Sequence, residues 1–121
     1  NEGFKSRIKE YLQFPDYTTL EMVEIFELMA KEQNITVTPA AIENLEIRVE
    51  NERKLSTFGN GRTARNVLDE AIDKHALNYG MGKLNGCDED GYLDTEETAY
   101  PDNQFRLCGI DVNIMPNKDV L

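Results

Sequence analysis

Thr18-Thr19-Leu20-Glu21-Met22-Val23-Glu24-Ile25-Phe26-Glu27-Leu28-Met29-Ala30-Lys31-Glu32-Gln33 is the stretch on which the fold class turns. Leu20, Met22, Val23, Ile25, Phe26, Met29 and Ala30 make a wide apolar face at helical spacing, and Glu21, Glu24, Glu27, Lys31 and Glu32 fall largely on the other side. Thr18 is an N-cap residue and Glu21 stands three places on, the spacing of a capping box. Asn34 ends the helix near position 33. Met22 and Met29 read as core filler, since a flexible thioether suits irregular packing.

Two more helices follow by the same logic. Ile35-Thr36-Val37 is a short β-prone link. Thr38 caps a second helix with Pro39 at its first position, where a missing N–H costs nothing. Ala41, Ile42, Leu45 and Val49 give its apolar face, and the run Glu50–Lys54 reads as a solvated helix end. Leu55–Gly61 is a loop with Gly59-Asn60-Gly61 as its turn chemistry. A third helix starts near Arg62 or Thr63. Ala64, Val67, Leu68, Ala71, Ile72, His75 and Ala76 recur on one side, with Asp69, Glu70, Asp73 and Lys74 towards water. Gly80 and Gly82 stop it. Upstream, Gly3–Arg7 reads as a turn of helix or a loop, Tyr11–Phe14 as a short strand ended by Pro15, and Asp16-Tyr17 as a connector. Downstream, Gln104–Leu107 and Ile110–Ile114 flank Cys108-Gly109 and are placed to pair as a hairpin. The fold class expected is therefore mainly α, a small helical bundle with a short β hairpin in the C-terminal tail.

Composition bounds the function. A chain of 121 residues buries one modest core, which excludes a nucleotide-binding domain joined to a substrate domain. No apolar run is long enough to span a bilayer and no export signal is visible, so the expectation is a cytoplasmic protein without a membrane partner. The start at Asn1, without Met, suggests a piece of something longer. The net charge of −10 repels nucleic acid and anionic lipid. That charge is uneven: residues 1–80 carry −4 and residues 81–121 carry −6. Residues 1–17 thus read as a lead-in segment, 18–82 as the helical domain and 83–121 as an acidic, turn-rich appendage. Two cysteines, Cys87 and Cys108, make neither a disulfide framework nor a zinc site. Reduced thiols are the expectation, with local pairing left open.

No catalytic constellation is complete. His75, the single histidine, reads as a packing residue near a helix C-terminus rather than a catalytic base. The Gly59 turn lacks the Gly-Lys-Ser/Thr ending of a phosphate loop, and no such ending occurs anywhere. Residues 86–97 resemble a calcium loop, with Gly91 at its sixth place, Asp88 and Asp90 at the third and fifth, and Glu97 at the twelfth. Gly86 stands at the first place, which needs an oxygen side chain, and no helix leads in. An acidic solvated loop is the favoured reading, and no metal site is assigned. Arg62 and Arg65 say more. They open a helix, where the backbone dipole already disfavours cations, so something anionic should offset them. A carboxylate from a neighbouring helix is one candidate. A phosphate is the other.

Asn1-Glu2-Gly3-Phe4-Lys5-Ser6-Arg7-Ile8, Phe14-Pro15-Asp16-Tyr17, Ile25-Phe26 and Phe58-Gly59-Asn60-Gly61-Arg62-Thr63-Ala64-Arg65-Asn66 together resemble the C-terminal part of AAA+ ATPases. The group is that of CbbX, stage V sporulation protein K and EccA. The likeness runs over about residues 1–80; Glu2, Ile8, Gly61 and Ala64 are mild departures, and the tail 83–121 has no counterpart. The resemblance implies the helical lid of a AAA+ module whose N-terminal α/β domain, with the Walker motifs, lies outside this chain. It implies Arg7 as an arginine finger acting in trans, a catalytic role suited to an always-charged planar fork. It implies Arg62 as the sensor 2 arginine, binding the nucleotide of its own subunit, with Arg65 either a second phosphate contact or an interdomain ion pair. ATP and Mg would be bound by the parent protein and not by this piece alone. Partners would be the α/β domain, neighbouring subunits of a hexamer, and a protein that the parent remodels by ATP hydrolysis. An alternative function is an acidic protein-interaction or calcium-binding module using loop 86–97.

Overall fold

A computed structural model describes residues 16–93 and 103–116. Arg7, the strand expected at Tyr11–Phe14, and Asp94–Glu97 of the acidic loop lie outside the described residues. Three α-helices are described: α1 (Thr19–Glu32), α2 (Pro39–Arg53) and α3 (Gly61–Gly80). The architecture is mainly helical, as expected.

Helix α1 begins where its capping box places it. Thr18 Oγ1 accepts the Glu21 N–H at 3.1 Å and Glu21 Oε1 accepts the Thr18 N–H at 2.9 Å. It ends at Glu32, and Asn34 turns the chain with φ 60°. Helix α2 starts after Thr38 with Pro39 at its first position. The Thr38 hydroxyl accepts the Ala41 N–H and donates to the Leu107 carbonyl at 2.6 Å, so one side chain caps α2 and ties it to the C-terminal segment.

The core is the meeting of three stripes. Met22, Val23, Phe26 and Ala30 come from α1, Ala41, Leu45 and Val49 from α2, and Ala64, Val67, Leu68 and Ala71 from α3. Leu107 and Val112 of the C-terminal segment complete it. Two residues expected on apolar faces lie outside. Leu20 is 68% exposed because it stands two residues, about 200° round the helix, from buried Met22. Ala76 is exposed as well.

The strand pairing differs from expectation. β1 (Thr36–Val37) pairs in parallel with β2 (Arg106–Leu107), in register Thr36 to Arg106 and Val37 to Leu107. No hairpin joins 104–107 to 110–114; Gly109–Asp111 forms a 3-10 turn instead. The reason is Asp111. Its carboxylate is buried and accepts the Cys108 N–H at 2.8 Å, the Asn78 side-chain amide at 2.8 Å and the His75 Nδ1–H at 2.8 Å. That turn pins the segment to α3 rather than to its own neighbour.

Glu70 and Lys74 do not simply face water. Arg48, 3% exposed, donates to both Glu70 oxygens at 2.6 and 3.2 Å, to Glu52 at 2.9 Å and to the Asn113 carbonyl at 3.2 Å. Burial opposes its charge, yet the Glu70 and Glu52 carboxylates outweigh that and raise its pKa above the ordinary arginine value. Lys74 bonds the Asn113 side chain. The run at the end of α2 is only partly solvated, for Arg53 stacks on the Phe58 ring at 5.1 Å.

Cys87 and Cys108 form a disulfide, which corrects the expectation of free thiols. Beside the bridge, Arg106 reaches across to the carbonyls of Asp88, at 2.6 Å, and Glu89. Leu84, Ile110 and the two cysteines form a small second core.

Candidate functional site

The N-terminus of α3 is built from the Gly59-Asn60-Gly61 turn. Asn60 takes φ 47° and ψ −115°, a positive-φ conformation outside the left-handed helical basin that glycine adopts more readily than asparagine. Thr63 Oγ1 accepts the Gly59 N–H at 2.8 Å and closes the turn. Alanine at Gly59 would set its Cβ 2.7 Å from Arg62 Nη2, so the Arg62 side chain lies back over that glycine.

Arg62 and Arg65 are both exposed, one helical turn apart. Within the described residues neither guanidinium is ion-paired or hydrogen-bonded, and the first turn of α3 holds no acidic residue. The neighbouring-helix carboxylate that sequence reasoning offered as one partner is not there among those residues. What stands instead is two unpaired positive forks at the positive end of a 20-residue helix. Like charges so placed repel, and an anion with several oxygens would offset them. Their donor chemistry fits phosphate. Arg7, the third arginine singled out, lies outside the described residues.

Beside this point the chain arrives from upstream. The Asn60 side chain accepts the Tyr17 N–H at 2.9 Å and donates to Asp16 Oδ1 at 3.2 Å. Arg53 donates to the Tyr17 carbonyl. Asn60 and Arg53 were not singled out from the sequence as site residues. The Gly-Asn-Gly spelling signals a turn but not which distant backbone the asparagine holds.

His75 and the acidic loop are engaged elsewhere. The His75 ring is held on both sides, Nε2 at 2.8 Å from the Gln104 carbonyl and Nδ1 at 2.8 Å from the Asp111 carboxylate. In the loop, Asp88 Oδ1 accepts the N–H groups of Asp90 and Tyr92, and Arg106 occupies two of its carbonyls. The Tyr92 hydroxyl is pushed up to about 12 by its hydrogen bond to Glu43. Among the described residues no group of three His, Cys, Asp or Glu side chains is gathered to hold a metal ion. Nor is any helix there long and apolar enough to cross a membrane.

Comparison with known proteins agrees with the fold. The AAA lid domain family matches residues 18–95. Protein CfxQ of Xanthobacter flavus is 42% identical over 77 residues, which covers 64% of this chain and 24% of that protein. Protein CbbX of Cereibacter sphaeroides is 41% identical over 71 residues, 59% of this chain and 23% of that protein. The ESX-3 secretion system protein EccA3 of Mycobacterium leprae is 31% identical over an alignment of 133 positions, 94% of this chain and 20% of that protein. The chain thus spans about a quarter or less of these relatives' length. With a family match over most of its residues, three packed helices of the expected order, and relatives of one kind, this chain belongs to the AAA lid domain family.

Proposed function

We propose that this chain is the nucleotide-sensing lid of a AAA+ ATPase, with Arg62 binding the phosphates of ATP held by its own subunit and Arg65 adding a second contact. The observation that supports the proposal is the pair of exposed guanidinium groups at the start of α3, unpaired among the described residues. A planar cation suits the charge that spreads over a transferring phosphoryl group. Magnesium and most of the triphosphate would be held by an upstream α/β domain. The lid would close over nucleotide and pass its state on as rigid-body rotation. Arg7 would act as the arginine finger for a neighbouring subunit of a hexamer, and the parent would remodel a protein partner. By itself this piece would not hydrolyse ATP.

Two single variants of the full-length protein, Arg62→Ala and Arg7→Ala, test the reading. Both should lose ATPase turnover, Arg7→Ala by about 10³-fold or more if it is a true finger. Mixing then separates their roles. Subunits with a disabled Walker motif should restore activity to Arg7→Ala, because they lend an intact finger to its intact site. They should not restore Arg62→Ala, because both defects then lie in a subunit's own site. Normal turnover in both single variants would remove the assignment.

A further inference from the structure

Asn60 holds the N-cap position of α3, where an asparagine side chain ordinarily accepts a backbone N–H of the first turn. It makes no such bond. Both polar atoms of its amide go to the chain 43 and 44 residues earlier, at Tyr17 and Asp16. Arg53 takes the Tyr17 carbonyl, so side chains from the two ends of the α2–α3 loop hold both backbone groups of one residue.

The core does not require this. Helix α1 is already closed by its own capping box, and α3 packs through Ala64, Val67, Leu68 and Ala71. What the bonds do join is the direction of the arriving chain and the turn over which the Arg62 side chain lies. We propose that Asn60 is a positioning residue, latching the Asp16-Tyr17 segment to the turn that aims Arg62, so that the two move as one. The proposal rests on the reading of Arg62 as a phosphate contact and says how that contact is set. If the latched state is the competent one, apparent affinity for nucleotide falls by whatever fraction of molecules is unlatched.

The test uses three variants in the full-length protein. Asn60→Gly removes both bonds but keeps the positive-φ backbone, which glycine adopts freely. Asn60→Asp keeps the acceptor for Tyr17 and sets a carboxylate against Asp16. The double variant N60D/D16N exchanges donor and acceptor and rebuilds the pair. We expect Asn60→Gly to raise the KM for ATP about fivefold, with the melting temperature moved by no more than about 2 °C. N60D should do at least as much harm, and D16N in its background should return KM towards wild type. In the 121-residue chain, Asn60→Gly should speed amide exchange at Tyr17 about tenfold and lower the order parameter of the Arg62 Nε–H.

Unchanged kinetics in Asn60→Gly, while Arg62→Ala is impaired, would overturn the latch. So would a loss of melting temperature matching the kinetic loss without recovery in the double variant, since that is a merely structural role. A normal Arg62→Ala enzyme would sink the phosphate reading instead. The latch is then decided by the Arg62 order parameter alone, and an unchanged value rejects it.

Discussion

A single carboxylate shows how local the start of this domain is. Glu21 accepts the Thr18 N–H, and that backbone bond, followed by the one with the Thr18 hydroxyl, lowers its pKa below the ordinary value of 4.5. The unfolded chain therefore binds this proton more readily than the folded one. The stabilisation is complete above pH 4.5 and is lost as pH falls through the lower folded value. Glu50, lowered chiefly by the Thr19 hydroxyl and also by Arg53, acts in the same sense. Urea melts between pH 7 and pH 3 should show stability falling below pH 4.5, and Glu21→Gln should flatten that slope. An unaltered slope in the variant would mean that the capping box contributes nothing. This residue was legible because every atom it needs lies within three positions of it. Arg62 stands out in the sequence for a different reason: a cation at a helix start is an imbalance, and the structure leaves that side chain exposed.

Between elements, the governing contact is Arg48. One guanidinium on α2 joins Glu70 of α3, Glu52 of its own helix and the Asn113 carbonyl beyond β2. Removing the buried guanidinium leaves the half-buried Glu70 and Glu52 carboxylates without the cation that compensates them. Arg48→Ala should therefore destabilise by about 3–5 kcal/mol, while Lys54→Ala, at the exposed end of the same helix, should change stability by about 0.5 kcal/mol or less. Chemical denaturation measures both, and equal effects would show that the buried network is not special. Sequence reading placed Glu70 in water because helical periodicity reports only which side of one helix is apolar. It carries no information on which polar residue a neighbouring helix will cover. The same limit explains the strands. Gln104–Leu107 and Ile110–Ile114 are adjacent, so a hairpin was the natural expectation, whereas the true partner of Arg106-Leu107 is Thr36-Val37. Pairing set by tertiary packing leaves no short-range signature.

At the scale of the molecule, the three helices and the N-caps of the first two were readable, but not the N-cap of the third at Asn60 nor how residues 103–116 close them. Those residues add Leu107 and Val112 to the main core, a hydrogen bond between Asp111 and His75, and a disulfide to Cys87. The bridge closes a separation of 21 residues, so reducing it should cost about 3 kcal/mol of folding stability, seen as a lower urea midpoint with a thiol reductant present. An identical midpoint in both conditions would show that the bridge adds nothing. The parallel pair has a further consequence for biosynthesis. A ribosome makes Thr36 long before Arg106, so during translation the helices emerge with an unfinished core and an unsatisfied strand edge. Nascent protein stalled before residue 107 would expose apolar surface to chaperones and proteases, and quality control could tell truncated polypeptides from finished ones by that exposure.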